Sequence, residues 1–150
     1  MDAVTYPNEA VIEFINQNVI PLRKGSDEQP MAKDFGISWT PALLILDQNG
    51  KEHHWTIGFL EAAELISSLE LGIGKMHYDA NEFKEAINSF EKILAKHPGS
   101  DSAPEADFLA GVSRYKSTHN PLLLKEAYEH LRKEYPQSSW TKRAYPYRLL

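Results

Sequence analysis

The sequence predicts a chain whose first half is a small α/β unit and whose second half is entirely helical. In the first half, segments with helical spacing of apolar residues alternate with short apolar runs typical of strands. In the second half only helical spacing occurs, and proline or glycine separates successive helices. A third observation bounds the chemistry. The 150 residues include no cysteine, which excludes disulfides, zinc–thiolate sites and nucleophilic thiols.

The first half contains six predicted elements. In chain order they are a helix over residues 8–18, a strand over 19–23, a short helix over 30–35, strands over 42–46 and 51–57, and a helix over 59–71. Asn8 is the expected N-cap of the first helix, and Pro21 indicates that the first strand lies at an edge. The run 42–46 is apolar throughout, which predicts burial on both faces. Asn49-Gly50 predicts a hairpin turn before the last strand.

The second half begins near residue 72 and reads as a series of helices. They are predicted over residues 72–80, 82–97, 102–116 and 121–135, with one or two further turns within 139–150. Asn81 falls in the first turn between them. No flexible linker marks the boundary between 1–71 and 72–150, so we expect the two domains to pack as one body.

An internal repeat organises the helical half. The first copy has Gly74, Ala86, Phe90 and Pro98, and a looser second copy has Gly111, Ala127, Leu131 and Pro136. This spacing resembles the tetratricopeptide pattern, in which small residues let paired helices approach and a proline ends the second helix. The resemblance implies a peptide-binding groove lined by Leu71, Lys75, Tyr78 and Asp79. The alternative interpretation is a helical extension that only stabilises the domain or a dimer.

The first half resembles a thioredoxin-like domain over about residues 1–71. The order of its elements matches that fold after the first strand, Asp47 to Gly50 resembles the tight turn of the family, and Gly58 precedes the last helix. Thr40-Pro41 resembles its cis-proline loop. The resemblance implies a peptide-binding loop formed by Trp39, Thr40 and Pro41. The alternative for Trp39 is that it packs in the core.

The chain departs from the family because the first strand and the Cys-x-x-Cys are missing. In the family that strand lies between the strands predicted here at 19–23 and 42–46, so its loss leaves backbone groups without partners. Three outcomes remain open: the sheet closes directly, a partner chain fills the gap, or the natural product begins upstream of Met1. Because exposed strand edges invite pairing, we expect a homodimer joined through strands or exchanged elements.

Charge and composition exclude several functions. The net charge of -5 argues against binding nucleic acid or an anionic membrane, and no apolar run is long enough for a membrane helix. Adjacent His53 and His54 point to opposite sides of a strand, and the other histidines are scattered, so we expect no metal and no cofactor. No signal peptide is visible, and we expect a cytoplasmic protein.

We therefore expect a non-enzymatic interaction or scaffold module with a protein or peptide partner. The alternative is the remainder of a thiol–disulfide oxidoreductase or thioredoxin-related chaperone whose Cys-x-x-Cys lies upstream of Met1. Either way, the absence of cysteine predicts that this chain does not itself reduce disulfides.

Overall fold

A computed structural model describes residues 1–25 and 31–150. Most of these residues are helical, and the described strands form one two-stranded sheet. The elements are α1 (Glu9–Asn18), α2 (Met31–Asp34), β1 (Ala42–Leu46), β2 (Glu52–Ile57), α3 (Ala62–Asp79), α4 (Phe83–Lys96), α5 (Ala103–Thr118), α6 (Leu122–Glu134), α7 (Ser139–Ala144) and a final 3-10 helix (Tyr145–Leu149). No helix in the described part of the chain is long and apolar enough to cross a membrane.

Most helices begin and end within two residues of their predicted limits, because caps and turns are local signals. Asn8 caps α1 as predicted, its side-chain oxygen accepting the backbone N–H of Ala10 at 3.0 Å. Asn81 has a φ of 61° in the turn between α3 and α4. Gly36 follows α2 with a φ of 62°, the left-handed conformation that glycine adopts readily. Residue 30, part of the short helix predicted over 30–35, lies outside the described residues.

The strand predicted over residues 19–23 is wrong. These residues have no regular secondary structure and pair with no described strand, and Ile20 and Leu22 are 97% and 73% exposed. The physical reason is that a strand needs a neighbour for its backbone groups. The described sheet contains only β1 and β2, so the apolar run has no ladder to join.

The two helices predicted over 59–71 and 72–80 are one continuous helix, α3. Gly72 does not interrupt it, because this glycine is a point of close packing. A Cβ built there would lie 2.5 Å from Cγ1 of Ile45. The boundary predicted between residues 71 and 72 therefore lies inside α3. The division into two folding units stays a prediction.

The β1–β2 hairpin packs one of its faces against α3. The strands are antiparallel, and Leu43 and Ile45 contact the cluster formed by Val11, Leu65 and Leu69. The turn has the predicted position, and the Asp47 carboxylate accepts the backbone N–H groups of Asn49 and Lys51. The burial of β1 on both faces was predicted wrongly. Residues 42–45 are all half-buried and Leu46 is exposed.

The helical half packs as a series of neighbours. Helix α4 lies between α3 and α5, α6 lies against α5, and α7 and the final 3-10 helix close the end against α6. Helices α4 and α6 end in the same backbone geometry, with φ and ψ of −135° and 49° at His97 and −130° and 52° at Tyr135. Each of these residues donates its N–H at 2.8 Å, to Ile93 and Leu131 respectively. A proline follows in both cases.

Candidate functional site

The predicted repeat residues lie at close contacts between paired helices. Gly74 faces Phe90, and a Cβ on Gly74 would lie 2.5 Å from the ring. Gly111 likewise faces Ala127 so closely that a Cβ would overlap the alanine methyl group. Ala86 and Phe90 are fully buried, whereas Pro98 and Pro136 follow the ends of α4 and α6. The glycines thus allow close helix pairing, as the spacing predicted.

The predicted groove of Leu71, Lys75, Tyr78 and Asp79 is not assembled as expected. Leu71 is only 2% exposed and belongs to the core that contains Phe90, so its assignment to a groove is wrong. The physical reason is the orientation of α3. This helix packs between the sheet and α4, and Leu71 lies on one of its buried sides.

The other three groove residues have partners within the chain. The ammonium group of Lys75 lies 3.0 Å from the carboxylate of Glu105 on α5. The ring of Tyr78 meets Phe83 edge-on at 5.9 Å, with the Lys116 ammonium group 5.3 Å from its centre. These contacts connect α3, α4 and α5. A role for Lys75 and Tyr78 in peptide binding stays a prediction.

Asp79 belongs to a polar junction that the sequence did not reveal. Its carboxylate lies 2.7 Å from Nδ1 of His53, whose Nε2 lies 3.2 Å from the carboxylate of Asp47. Lys51 also approaches Asp79, at 3.2 Å. The His53 ring thus lies within hydrogen-bond distance of two carboxylates, one from the hairpin turn and one from α3. The junction fastens the hairpin turn to the end of α3.

Hydrogen bonding in this junction favours ionised carboxylates. The backbone N–H of Lys51, with a smaller contribution from the His53 side chain, lowers the pKa of Asp47. Burial would raise the pKa of Asp79, but the bonds from His53 and Lys51 together outweigh burial and lower it. Only the juxtaposition of β2 with the C-terminal end of α3 creates this arrangement. No spacing in the sequence signals it.

His54 has a contrasting environment although it is the next residue. Its Nε2 lies 3.0 Å from the hydroxyl of Ser68 on α3, and its Cβ packs against Gly72. Burial, with the nearby charge of Lys75, lowers the pKa of His54 to about 4. His53 and His54 contact different groups, but both partners, Asp79 and Ser68, belong to α3, and the strand pairing shifts register between Ile45 and Leu46. No group of three His, Asp or Glu side chains in the described ranges could hold a metal ion.

The predicted loop of Trp39, Thr40 and Pro41 lies at the start of β1. The Thr40–Pro41 peptide bond is cis, as the resemblance implied. Trp39 is 70% exposed, so the alternative that it packs in the core is wrong. The indole lies in the loop before β1 and belongs to none of the three hydrophobic clusters of the described residues. Peptide binding by this loop stays a prediction.

One face of the hairpin is apolar and open. Leu44 pairs with Trp55 and Ala42 with Ile57, and antiparallel partners project from the same face. This is the face turned away from α3, since Leu43 and Ile45 on the opposite face contact the core. Trp55 is 56% exposed. We call this set of Ala42, Leu44, Trp55 and Ile57 the open sheet face.

The outer edge of β1 is also open within the described part of the chain. Gly58 N–H donates to Pro41 O at 2.8 Å, which fixes the alternation of bonds between the strands. By that alternation, Leu43 and Ile45 bond to β2, whereas Ala42, Leu44 and Leu46 direct their backbone groups outward. No described strand receives them. Phe59, 57% exposed, follows Gly58 and lies at the same end as Trp39.

Comparison of the chain with protein-family models, with curated proteins and with solved structures found no match. The structure itself supports a coarse description, a small antiparallel hairpin joined to a series of packed helices.

Proposed function

We propose that this chain is a non-enzymatic protein-interaction module that binds an extended peptide segment as a third strand along β1. The observation that carries the proposal is the open outer edge of β1 beside the open sheet face. Edges of this kind are normally protected by charge, proline or covering elements. The residues of β1 itself, Ala42–Leu46, carry no charge.

Strand addition would use two kinds of contact. The outward backbone groups of Ala42, Leu44 and Leu46 would form the ladder, which supplies affinity without sequence preference. Side chains of the added strand would alternate, and every second one would meet the open sheet face around Trp55. Specificity would therefore come from apolar residues at alternate positions of the partner. Trp39 and Phe59 would extend this contact beyond the end of the strand.

We also propose that the supporting fold is an incomplete thioredoxin-like unit continued by tetratricopeptide-like helices. The order of α1, α2, β1, β2 and the first part of α3 supports the first half of this proposal. The close contacts of Gly74 and Gly111 support the second. In this arrangement the helices serve as a scaffold that holds the hairpin from one side and leaves its other face free.

The test is to select peptides of about ten residues from a displayed random library and to titrate the best one by tryptophan fluorescence. We expect an alternating apolar pattern in the selected peptides and protection of the Leu44 amide from hydrogen exchange. Leu44→Lys should weaken binding by at least about tenfold, because a charge at the edge opposes apolar pairing.

Leu122→Lys is the matched control, since Leu122 is an exposed leucine on α6, away from the sheet. It should bind the peptide like the unmodified chain. A library without enriched peptides, or binding that survives Leu44→Lys unchanged, would contradict the proposal. Circular dichroism of both variants checks that the fold is retained.

A second copy of the chain is the other occupant that the β1 edge favours. Two β1 strands could pair antiparallel without bringing like charges together, because the strand is uncharged. We therefore propose a homodimer in which two β1 strands pair. Light scattering coupled to size exclusion should then show a dimer that Leu44→Lys, but not Leu122→Lys, dissociates. A monomer at high concentration would refute it.

The second candidate function is that of the remainder of a thiol–disulfide oxidoreductase or a related chaperone. It is favoured by the same open edge, where the family has its first strand. The test is to translate the DNA upstream of Met1. A strand followed by Cys-x-x-Cys in frame would support it, whereas an in-frame stop codon shortly before Met1 would refute it.

A further inference from the structure

The arginines of this protein divide into two groups. Arg23 and Arg114 each lie within 2.9 Å of a carboxylate, those of Asp2 and Glu91. Arg132, Arg143 and Arg148 are exposed and form no ion pair with any carboxylate of the described residues. All three lie in the last part of the chain, and residues 135–150 include no Asp or Glu.

These unpaired arginines are held on aromatic rings. Arg148 lies 4.3 Å from the centre of the Tyr145 ring, and Arg132 lies 5.8 Å from that of Tyr128. The two tyrosines meet edge to face at 6.1 Å. Arg132, Tyr128, Tyr145 and Arg148 thus form one continuous stack, which we call the arginine–tyrosine stack. Arg143 lies on Trp140 in the same way, at 4.7 Å.

The surface around the stack is anchored and partly apolar. Lys125 on α6 donates to the backbone oxygen of Leu150 at 2.8 Å and holds the final 3-10 helix in place. Leu149 is 74% exposed beside Arg148. The stack therefore presents free guanidinium donors, already oriented, next to an exposed apolar side chain.

We propose that the arginine–tyrosine stack binds an acidic peptide segment of a partner protein. Guanidinium groups pair with carboxylates through two parallel hydrogen bonds, and the ring beneath each one reduces the entropy lost on pairing. Each free guanidinium lacks the partner that Arg23 and Arg114 find within the chain. Leu149 and Tyr145 would accept apolar residues between the acidic ones.

Charge complementarity selects an acidic peptide over nucleic acid or lipid. A chain with net charge -5 repels long polyanions, whose binding depends on many phosphate contacts. A short acidic segment needs only a local excess of positive charge. Residues 121–150 provide one, with six Lys and Arg against three Glu. The local field therefore suits a small number of carboxylates.

This surface is distinct from the open sheet face. The sheet packs on α3, and α4 and α5 lie between α3 and α6. The inference therefore does not rest on the proposed strand addition. Leu44→Lys should leave binding at the stack unchanged, so failure of one proposal is distinguishable from failure of the other.

The test uses a fluorescein-labelled peptide of alternating Asp and Phe residues, about twelve long, titrated with the full chain at low salt. We expect binding that weakens as salt rises and that falls about tenfold in Arg132→Gln/Arg148→Gln. Arg132→Lys/Arg148→Lys keeps the charges but loses the paired geometry, so its affinity should lie in between. This second variant keeps the test informative if the first does not fold.

Arg114→Gln is the matched control, because its guanidinium is already paired with Glu91. It should bind the acidic peptide as the unmodified chain does. Three outcomes would overturn the proposal: no binding of the acidic peptide, an equal loss in Arg114→Gln, or tighter binding of single-stranded oligothymidylate or phosphatidylserine vesicles than of the peptide.

Discussion

At the residue scale, His53 and His54 show how two identical neighbours acquire different surroundings. His53 lies between the carboxylates of Asp47 and Asp79. His54 faces α3, where burial and the charge of Lys75 lower its pKa to about 4. Strict alternation along β2 did not describe them fully, because the strand pairing shifts register beside His53 and both rings contact α3. Their partners were not predictable, because Asp79 and Ser68 are contributed by a helix distant in sequence.

The lowered pKa of His54 predicts a loss of stability in mild acid. The unfolded chain binds a proton at this histidine below pH 6.5, whereas the folded chain does so only below about 4. Stability is therefore complete above pH 6.5 and declines as the pH falls towards 4, by on the order of 3 kcal/mol. His54→Gln should reduce this loss of unfolding free energy between pH 6.5 and 4. Urea unfolding at a series of pH values measures the unfolding free energy.

Two comparisons keep this prediction specific. Asp47 and Asp79 have lowered pKa values, so the stability they contribute is lost only below about pH 4, in a lower window. His119→Asn is the matched control, because His119 is exposed and asparagine tolerates its left-handed backbone. Parallel stability curves for His54→Gln and the unmodified chain would disprove the assignment.

At the element scale, glycine placement determines how helices pair, and the effect of each glycine depends on the residue packed against it. The repeat spacing correctly singled out Gly74 and Gly111 as points of close approach. Gly72 begins a separate helix in the prediction, yet it lies within α3 against the sheet. Whether a glycine ends a helix or admits a neighbour depends on what packs there, which is a tertiary property.

Local sequence placed α4, α6, β1 and β2 to within one residue, but it failed for the strand predicted over 19–23. The strands β1 and β2 supply each other's partner across one short turn. Caps and apolar spacing lie within each helix, so α4 and α6 could be placed from local sequence. A strand depends on a partner whose position the local sequence does not specify. The residues 19–23 have strand-like composition but no neighbour in the described sheet, and they remain unpaired.

The contact of Gly111 with Ala127 predicts a reciprocal exchange. Gly111→Ala alone should destabilise the chain by about 1–3 kcal/mol, because two methyl groups would overlap between α5 and α6. Gly111→Ala combined with Ala127→Gly restores the space and should recover part of the loss. Thermal unfolding of the single and double variants measures this coupling.

Gly99→Ala is the control for glycine replacement itself. No atom lies within 4 Å of a Cβ at that position, so the change should be close to neutral or slightly stabilising. Additive effects of the two exchanges at Gly111 and Ala127 would show that the helices do not meet at these residues.

At the scale of the whole molecule, packing follows the order of the chain. The hairpin contacts α3, and each later helix contacts mainly its neighbours, up to α7 and the final 3-10 helix. Stability in such an arrangement is approximately a sum of local terms and nearest-neighbour interfaces. The two proposed binding surfaces lie at the two ends of this series. Changes at one end should therefore have little effect on the other.

Leu131→Ala tests this local character. Leu131 is fully buried with Tyr128 and Ala144, so the substitution should cost about 2–5 kcal/mol. We expect hydrogen exchange to show lost protection in α6 and α7, with the amides of α3 still protected, since partial opening is confined to the affected end.

Leu122→Ala, an exposed leucine on the same helix, should leave exchange unchanged throughout. If Leu131→Ala instead lowers protection equally in α3 and α6, the chain unfolds as one cooperative unit and the two ends are energetically coupled. In that case the acidic-peptide surface and the open sheet face would influence each other through the helices. An equal loss of hydrogen-exchange protection at both ends would thus show that the two binding surfaces are energetically linked.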